Sequence, residues 1–172
     1  MNVIKRDGRE EEFDIEKIHE VLFWATHGLK GVTVSDIEIK IAPQFVDNIT
    51  THDIHQILIT GSADLITEKT PNYQFVAANL LNFFLRKDVF GVSDNLPTLL
   101  DVIKQNIEYN VYDSVILDKY TEAEIKKLDN VIKHKRDYDF VYAGLQQLID
   151  KYLLKDRSTN QIYETPQYMY ML

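Results

Sequence analysis

Asp7-Gly8 most narrowly limits how this chain can begin. It stands between Val3-Ile4 and Glu12-Phe13, and an Asp-Gly pair supplies the positive φ angles of a tight turn, so residues 1–13 are expected to form a β-hairpin. Asp14 then reads as a helix N-cap, with Ile15, Ile18, Leu22 and Ala25 on one face of the helix it opens. Gly28 to Gly31 break that helix. Ser35-Asp36-Ile37-Glu38 has the spacing of a capping box and predicts a second helix to about Val46, kinked or shortened at Pro43. Thr51 is expected to cap a third, carrying Ile54, Leu58, Ala63 and Leu65. Asn72 is expected to cap a fourth, with Phe75, Ala78, Leu81, Leu85 and Val89 on its apolar side, ending at Gly91. Residues 1–91 therefore read as a hairpin lying on four short helices.

Val92 to Pro97 is a plausible joint to a second domain, 92–172. Helices are expected over Leu99 to Asn110, over Thr121 to Ile132 behind the box Thr121-Glu122-Ala123-Glu124, and from about Phe140 to Tyr152. Tyr152-Leu153-Leu154 and Gln161-Ile162-Tyr163 bracket the polar turn 155–160 as a second hairpin. The fold class is mainly α with small β-hairpins. The last residues, YETPQYMYML, are apolar and helical after Pro166. Such an ending must pack back on the chain or be covered by another polypeptide.

The net charge of −8 argues against nonspecific nucleic-acid binding, which needs a broad basic surface, but leaves room for a local anion pocket. The chain has no cysteine, which excludes disulfides, zinc ribbons and thiol chemistry within it. It has no apolar run of membrane-span length and no apolar leader, so a cytoplasmic location with no membrane partner is expected. Phosphate-loop, dinucleotide-fold and nucleophile-elbow motifs are missing. His52 and His55 are spaced as helical neighbours, but no third ligand follows at a matching distance, so no metal site is assigned.

Charge clusters around the hairpin. With Asp14 as N-cap, Lys17 falls in the first turn, the wrong sign for the helix dipole by about 0.3–1 kcal/mol. It is either a tolerated surface residue or a sign that an anion sits at the helix start, where free N–H groups bind phosphate. Under the second reading Lys5, Arg6 and Lys17 meet phosphates, and Glu11 and Asp14 accept from an amine or ribose hydroxyl. Arg86-Lys87, near a helix C-terminus, is explained by the dipole alone.

Taken together, VIKRDGREEEFDIEKIHEVL resembles the N-terminal ATP-cone of class I ribonucleotide reductase large (alpha) subunits of phage or bacterial type. The resemblance continues in order through TTHDIHQILITGSADLI, PNYQFVAANLLNFFLRKDVFG and FVYAGLQQLIDKYLLKD to IYETPQYMYM. It implies an ATP-cone, a hairpin lid on a four-helix bundle, followed by the helical region that leads into the catalytic barrel. It also implies an overall-activity switch, in which ATP favours an active enzyme and dATP an inhibited oligomer, with Mg2+ accompanying the nucleotide.

The residues that carry over are Lys5, Arg6, Glu11, Glu12, Phe13, Asp14, Ile15, Glu16, Lys17, Thr51, His55 and Lys87. Lys5, Arg6, Lys17 and Lys87 would clamp phosphates. Glu11 and the backbone around Phe13 to Ile15 would read adenine. Thr51 and His55 would approach ribose and phosphate, and Asp53 would tune the response. Phe84 stands where a histidine is expected and Asp14 where an asparagine is, departures that bear on ATP against dATP. The implied partners are the remainder of the large subunit and a radical-bearing small subunit, with association into an oligomer expected, in the bacterial host cytoplasm if the chain is phage-encoded. The family's thiyl-radical chemistry requires cysteines, so this chain cannot reduce ribonucleotides alone; a fragment or one piece of a split subunit is expected. The competing reading is a docking module whose nucleotide site has degenerated. A cone-bearing transcription repressor is excluded, since its metal ribbon needs cysteines and its DNA contacts a basic surface.

Overall fold

The structure is a computed structural model that describes residues 1–172. The chain divides into two compact units, Met1–Leu81 with Phe140–Leu145, and Asn82–Asp139 with Gln146–Leu172.

In the first unit the hairpin pairs β1 (Asn2–Ile4) with β2 (Glu10–Glu12) in antiparallel register, Val3 opposite Glu11. The turn forms at Asp7-Gly8, but Asp7 does not take the positive φ expected of it. Gly8 N–H donates to the Lys5 carbonyl and Lys5 N–H to the Arg9 carbonyl, so the loop is Arg6-Asp7-Gly8. Only Gly8 in it has positive φ, at 82°. Asp7 instead accepts from the Arg9 backbone and Nε, and those two bonds hold its carboxyl below the usual range.

α1 (Ile15–Thr26) starts where expected, with the Asp14 side chain accepting from Glu16 N–H, and buries Ile18, Leu22 and Ala25. α2 (Val34–Ile41) corrects the sequence reading. Its cap is Thr33, whose hydroxyl accepts from Asp36 N–H, not Ser35. Thr33 N–H donates to the hydroxyl of buried Tyr73, which donates in turn to Asp36. That long-range partner selects the Thr33 frame over the neighbouring Ser35 frame. α2 also stops at Ile41 rather than near Val46. A 3-10 turn, Ala42–Gln44, follows, because Pro43 has no N–H for the helix ladder.

The sequence reading missed β3 (Ile49–Thr50), a two-residue strand parallel to β1, which makes a three-stranded sheet in the order β2-β1-β3. α3 (Thr51–Ala63) is capped by Thr50, not Thr51: the Thr50 hydroxyl accepts from Asp53 N–H and donates to its carboxylate. Asn72, expected as a cap, sends its amide to the Lys30 carbonyl. α4 (Tyr73–Phe90) begins in this unit and ends in the other; Gly91, with φ 75°, donates to the Lys87 carbonyl and closes it. The first unit's core is Val3, Leu22, Ile37, Ile41, Ile49, Leu58, Val76 and Leu80.

In the second unit α5 (Leu99–Glu108), capped by a Thr98–Asp101 box, packs on α7 (Glu122–Asp129), capped by the expected Thr121–Glu124 box. Leu99 N–H donates to the Asp129 carboxylate. Leu99, Leu100, Val102, Ile103, Ile125 and Tyr168 form its core. α6 (Val115–Lys119) and a 3-10 helix at His134–Asp139 were not anticipated. α5 ends before Asn110, whose φ of 56° leaves the helix. α8 (Tyr142–Lys151) is shared between the units.

The second hairpin is reduced to one bridge, Lys155 with Ile162, around a loop in which Asp156 accepts from Ser158 and Thr159. α9 (Pro166–Met171) packs back as one of the two expected alternatives: Tyr168 is buried and its hydroxyl donates to the Pro97 carbonyl at 2.5 Å. No helix is long and apolar enough to cross a membrane.

α2 and α3 meet at Gly61, where an added Cβ would overlap Cγ2 of buried, β-branched Ile41. Gly61→Ala is therefore expected to lower stability by about 1–3 kcal/mol despite alanine's better helix propensity, as read by urea unfolding. α1 and α2 are further linked by His19 Nδ1, 2.8 Å from Glu38. The Glu38 bond raises the His19 pKa. A raised folded-state value stabilises fully below the unfolded pKa of about 6.5 and is lost as pH rises through the folded one. Thermal melts from pH 5 to 8 should show wild-type protein losing more stability across that window than Glu38→Gln; parallel curves would show that this pair contributes nothing.

Candidate functional site

β1 is the element that assembles the charged residues. Its antiparallel partner sets Glu11 across from Val3, and its parallel partner sets Thr50 beside Ile4. Lys5 follows directly, and its Nζ lies 3.1 Å from Glu11 Oε2. Thr51, the first residue of α3, donates from Oγ1 to the Ile4 carbonyl at 3.2 Å. His55, one turn further along α3, is buried. Lys5, Glu11 and Thr51 thus gather around one end of the small sheet.

The return strand leads through Phe13, whose N–H donates to the Met1 carbonyl and whose ring lies 5.2 Å from that of Phe45. Phe45 was not singled out from sequence; its signal, an aromatic just past a proline turn, is too common to act on. Strand alternation puts Glu12 on the opposite face from Glu11, and Glu12 is exposed. Ile15 and Glu16 are exposed in the first turn of α1, and Arg6 is exposed in the hairpin loop.

The misplaced Lys17 finds a local explanation. Asp14 uses Oδ1 to cap Glu16 N–H, and its Oδ2 lies 3.8 Å from Lys17 Nζ. A carboxylate of the chain itself therefore sits at the start of α1 and offsets the lysine. The pair is largely solvated, and such pairs contribute at most ~1 kcal/mol. Lys17 is thus held only loosely. Lys87 lies in the last turn of α4, in the second unit, with Nζ 4.4 Å above the ring of Phe83. Phe84 is buried, with its ring edge-on to Phe83.

The hairpin over capped helices, with cations and carboxylates around one end of its sheet, belongs to a defined class. The ATP cone domain matches residues 1–88, and the chain belongs to that family, whose domain is an allosteric nucleotide-binding module. Beyond the cone, almost the whole chain is similar to ribonucleoside-diphosphate reductase alpha subunits. It is 45% identical to the reductase 1 subunit alpha of Salmonella typhimurium and 44% to that of Escherichia coli, over 99% of this chain and 22% of each relative. It is 42% identical to the subunit alpha of Enterobacteria phage T4 over the same shares. The chain thus spans about a fifth of the length of the curated relatives it matches.

Thr51→Val keeps the shape of the side chain but removes the donor to the Ile4 carbonyl. It should cost about 0.5–1.5 kcal/mol in urea unfolding; no change would mean that water replaces the bond.

Proposed function

We propose that this chain is the effector-binding, overall-activity switch of a ribonucleoside-diphosphate reductase large subunit, taking ATP or dATP with Mg2+. Residues 1–91 are the regulatory cone, and 92–172 begin the helical part of the catalytic subunit. The observation that carries this reading is the gathering of Lys5, Glu11 and Thr51 at one end of a sheet held beside two helix starts. Helix N-termini present backbone N–H groups to anions, and exposed lysines supply the balancing charge.

Within this reading Lys5, Arg6, Lys17 and Lys87 hold phosphates. Glu11, with the backbone of Phe13, Asp14 and Ile15, reads the base, and Thr51 and His55 approach the ribose side. Glu12 and Glu16 have the weakest support, since both are exposed and Glu12 lies on the face away from Glu11. The working partners are the remainder of the large subunit and a radical-bearing small subunit, in the cytoplasm. A nucleotide shifts such a switch only through unequal affinity for its two states.

Isothermal titration with ATP and dATP tests the reading. Saturable heat is expected below millimolar nucleotide. Lys5→Ala and Lys17→Ala should each weaken binding roughly tenfold, the effect of losing one charge-assisted bond. No heat at millimolar nucleotide would remove the switch and leave a docking module.

A further inference from the structure

The helix dipole accounts for a cation at the end of α4, but not for the burial of Arg86, which is 3% exposed. Its Nη1 donates to the Ser93 carbonyl at 3.3 Å and to the Tyr138 hydroxyl at 3.2 Å. Its Nη2 donates to the His134 carbonyl at 2.5 Å and to Asp137 at 3.4 Å. The guanidinium carbon also lies 4.7 Å over the Tyr138 ring. Asp137 is fully buried and accepts at its other oxygen from Gln167 of α9. The His134 ring packs 4.9 Å from that of Tyr168, also of α9.

One side chain thus holds the end of α4, the loop leaving it, the 3-10 helix and, through Asp137, α9. A guanidinium fork makes such contacts in one orientation only. Burial pushes the Asp137 carboxyl up, and the bonds from Gln167 and Arg86 draw it only part of the way back. Lys87 is the next residue along the same turn.

We propose that Arg86 is a positioning residue for Lys87: its clasp on His134, Asp137 and Tyr138 fixes the last turn of α4, and phosphate bound at Lys87 is coupled to closure of that clasp. This rests on the nucleotide reading above. Coupling of this kind is reciprocal: if the closed clasp raises affinity for nucleotide, nucleotide stabilises the clasp by the same factor.

The test uses the 172-residue chain, ATP calorimetry and hydrogen exchange of residues 134–139 and 166–171. Removing one charge would strand its partner in the interior. The double variant Arg86→Met with Asp137→Leu removes both, an exchange buried ion pairs often tolerate. With Lys87 intact, the double variant should bind ATP about 5–10-fold more weakly. ATP should slow exchange of both segments in the wild type and leave them unchanged in the variant. A clasp that serves only the fold would change melting behaviour but neither of those readouts.

Absence of ATP heat in the wild type overturns both the nucleotide reading and this one. Wild-type binding matched by equal affinity in the folded double variant overturns the coupling alone. If the double variant does not fold, Gln167→Leu decides: about 2–3-fold weaker binding supports the clasp, and unchanged affinity overturns it.

Discussion

The first unit depends on the double pairing of β1. This three-residue strand meets β2 on one edge and β3 on the other, and neither pairing is long enough to persist alone. Val3 anchors it in the core, Phe13 N–H reaches back to Met1, and Asn2 N–H donates to the Asp47 carboxylate at 2.7 Å. Because β1 is central, the acidic return strand and the start of α3 are fixed relative to the same backbone. The placement of Glu11 beside Lys5, and of Thr51 beside Ile4, follows from that one strand.

The charges on this framework are arranged to yield. Lys5 rests on Glu11 and Lys17 on Asp14, each pair partly or largely in water, in a chain of net charge −8. Solvated pairs of this sort hold lysines near a position without committing them, because solvation and side-chain entropy offset most of the Coulomb gain. Under the nucleotide reading proposed above, a polyphosphate, with more charge and more acceptors than a single carboxylate, displaces these partners. The buried charge is different in kind. Arg86 is enclosed by oxygen acceptors and an aromatic face, and it is linked to the rigidity of its surroundings rather than to solvent.

Much of this was legible in the sequence, wherever the signal was local. The Asp14 cap and the Thr121 box involve residues at most three apart, and both formed as expected. The hairpin also formed, although only Gly8 of the Asp-Gly pair takes positive φ. The misses were choices between equally good local frames. Thr33 and Ser35 each offer a cap, and buried Tyr73 decides between them from forty residues away. Thr50 and Thr51 are adjacent hydroxyls, and pairing of Ile49–Thr50 with β1 assigns one to the cap and the other to the Ile4 carbonyl. A two-residue parallel strand has no periodicity of its own and could not be read at all.

The sequence by itself determined the class of elements, several of their ends, the family, and which residue types could meet an anion. These follow from turn stereochemistry, caps and apolar spacing, all of which act over a few residues. Only the tertiary structure decided which of those residues meet. β3 sets Thr51 beside Ile4, and burial makes Arg86 a clasp on His134, Asp137 and Tyr138. Such outcomes depend on strand pairing and burial between segments far apart in the chain, where the free energy of a contact is set by partners that no local window contains.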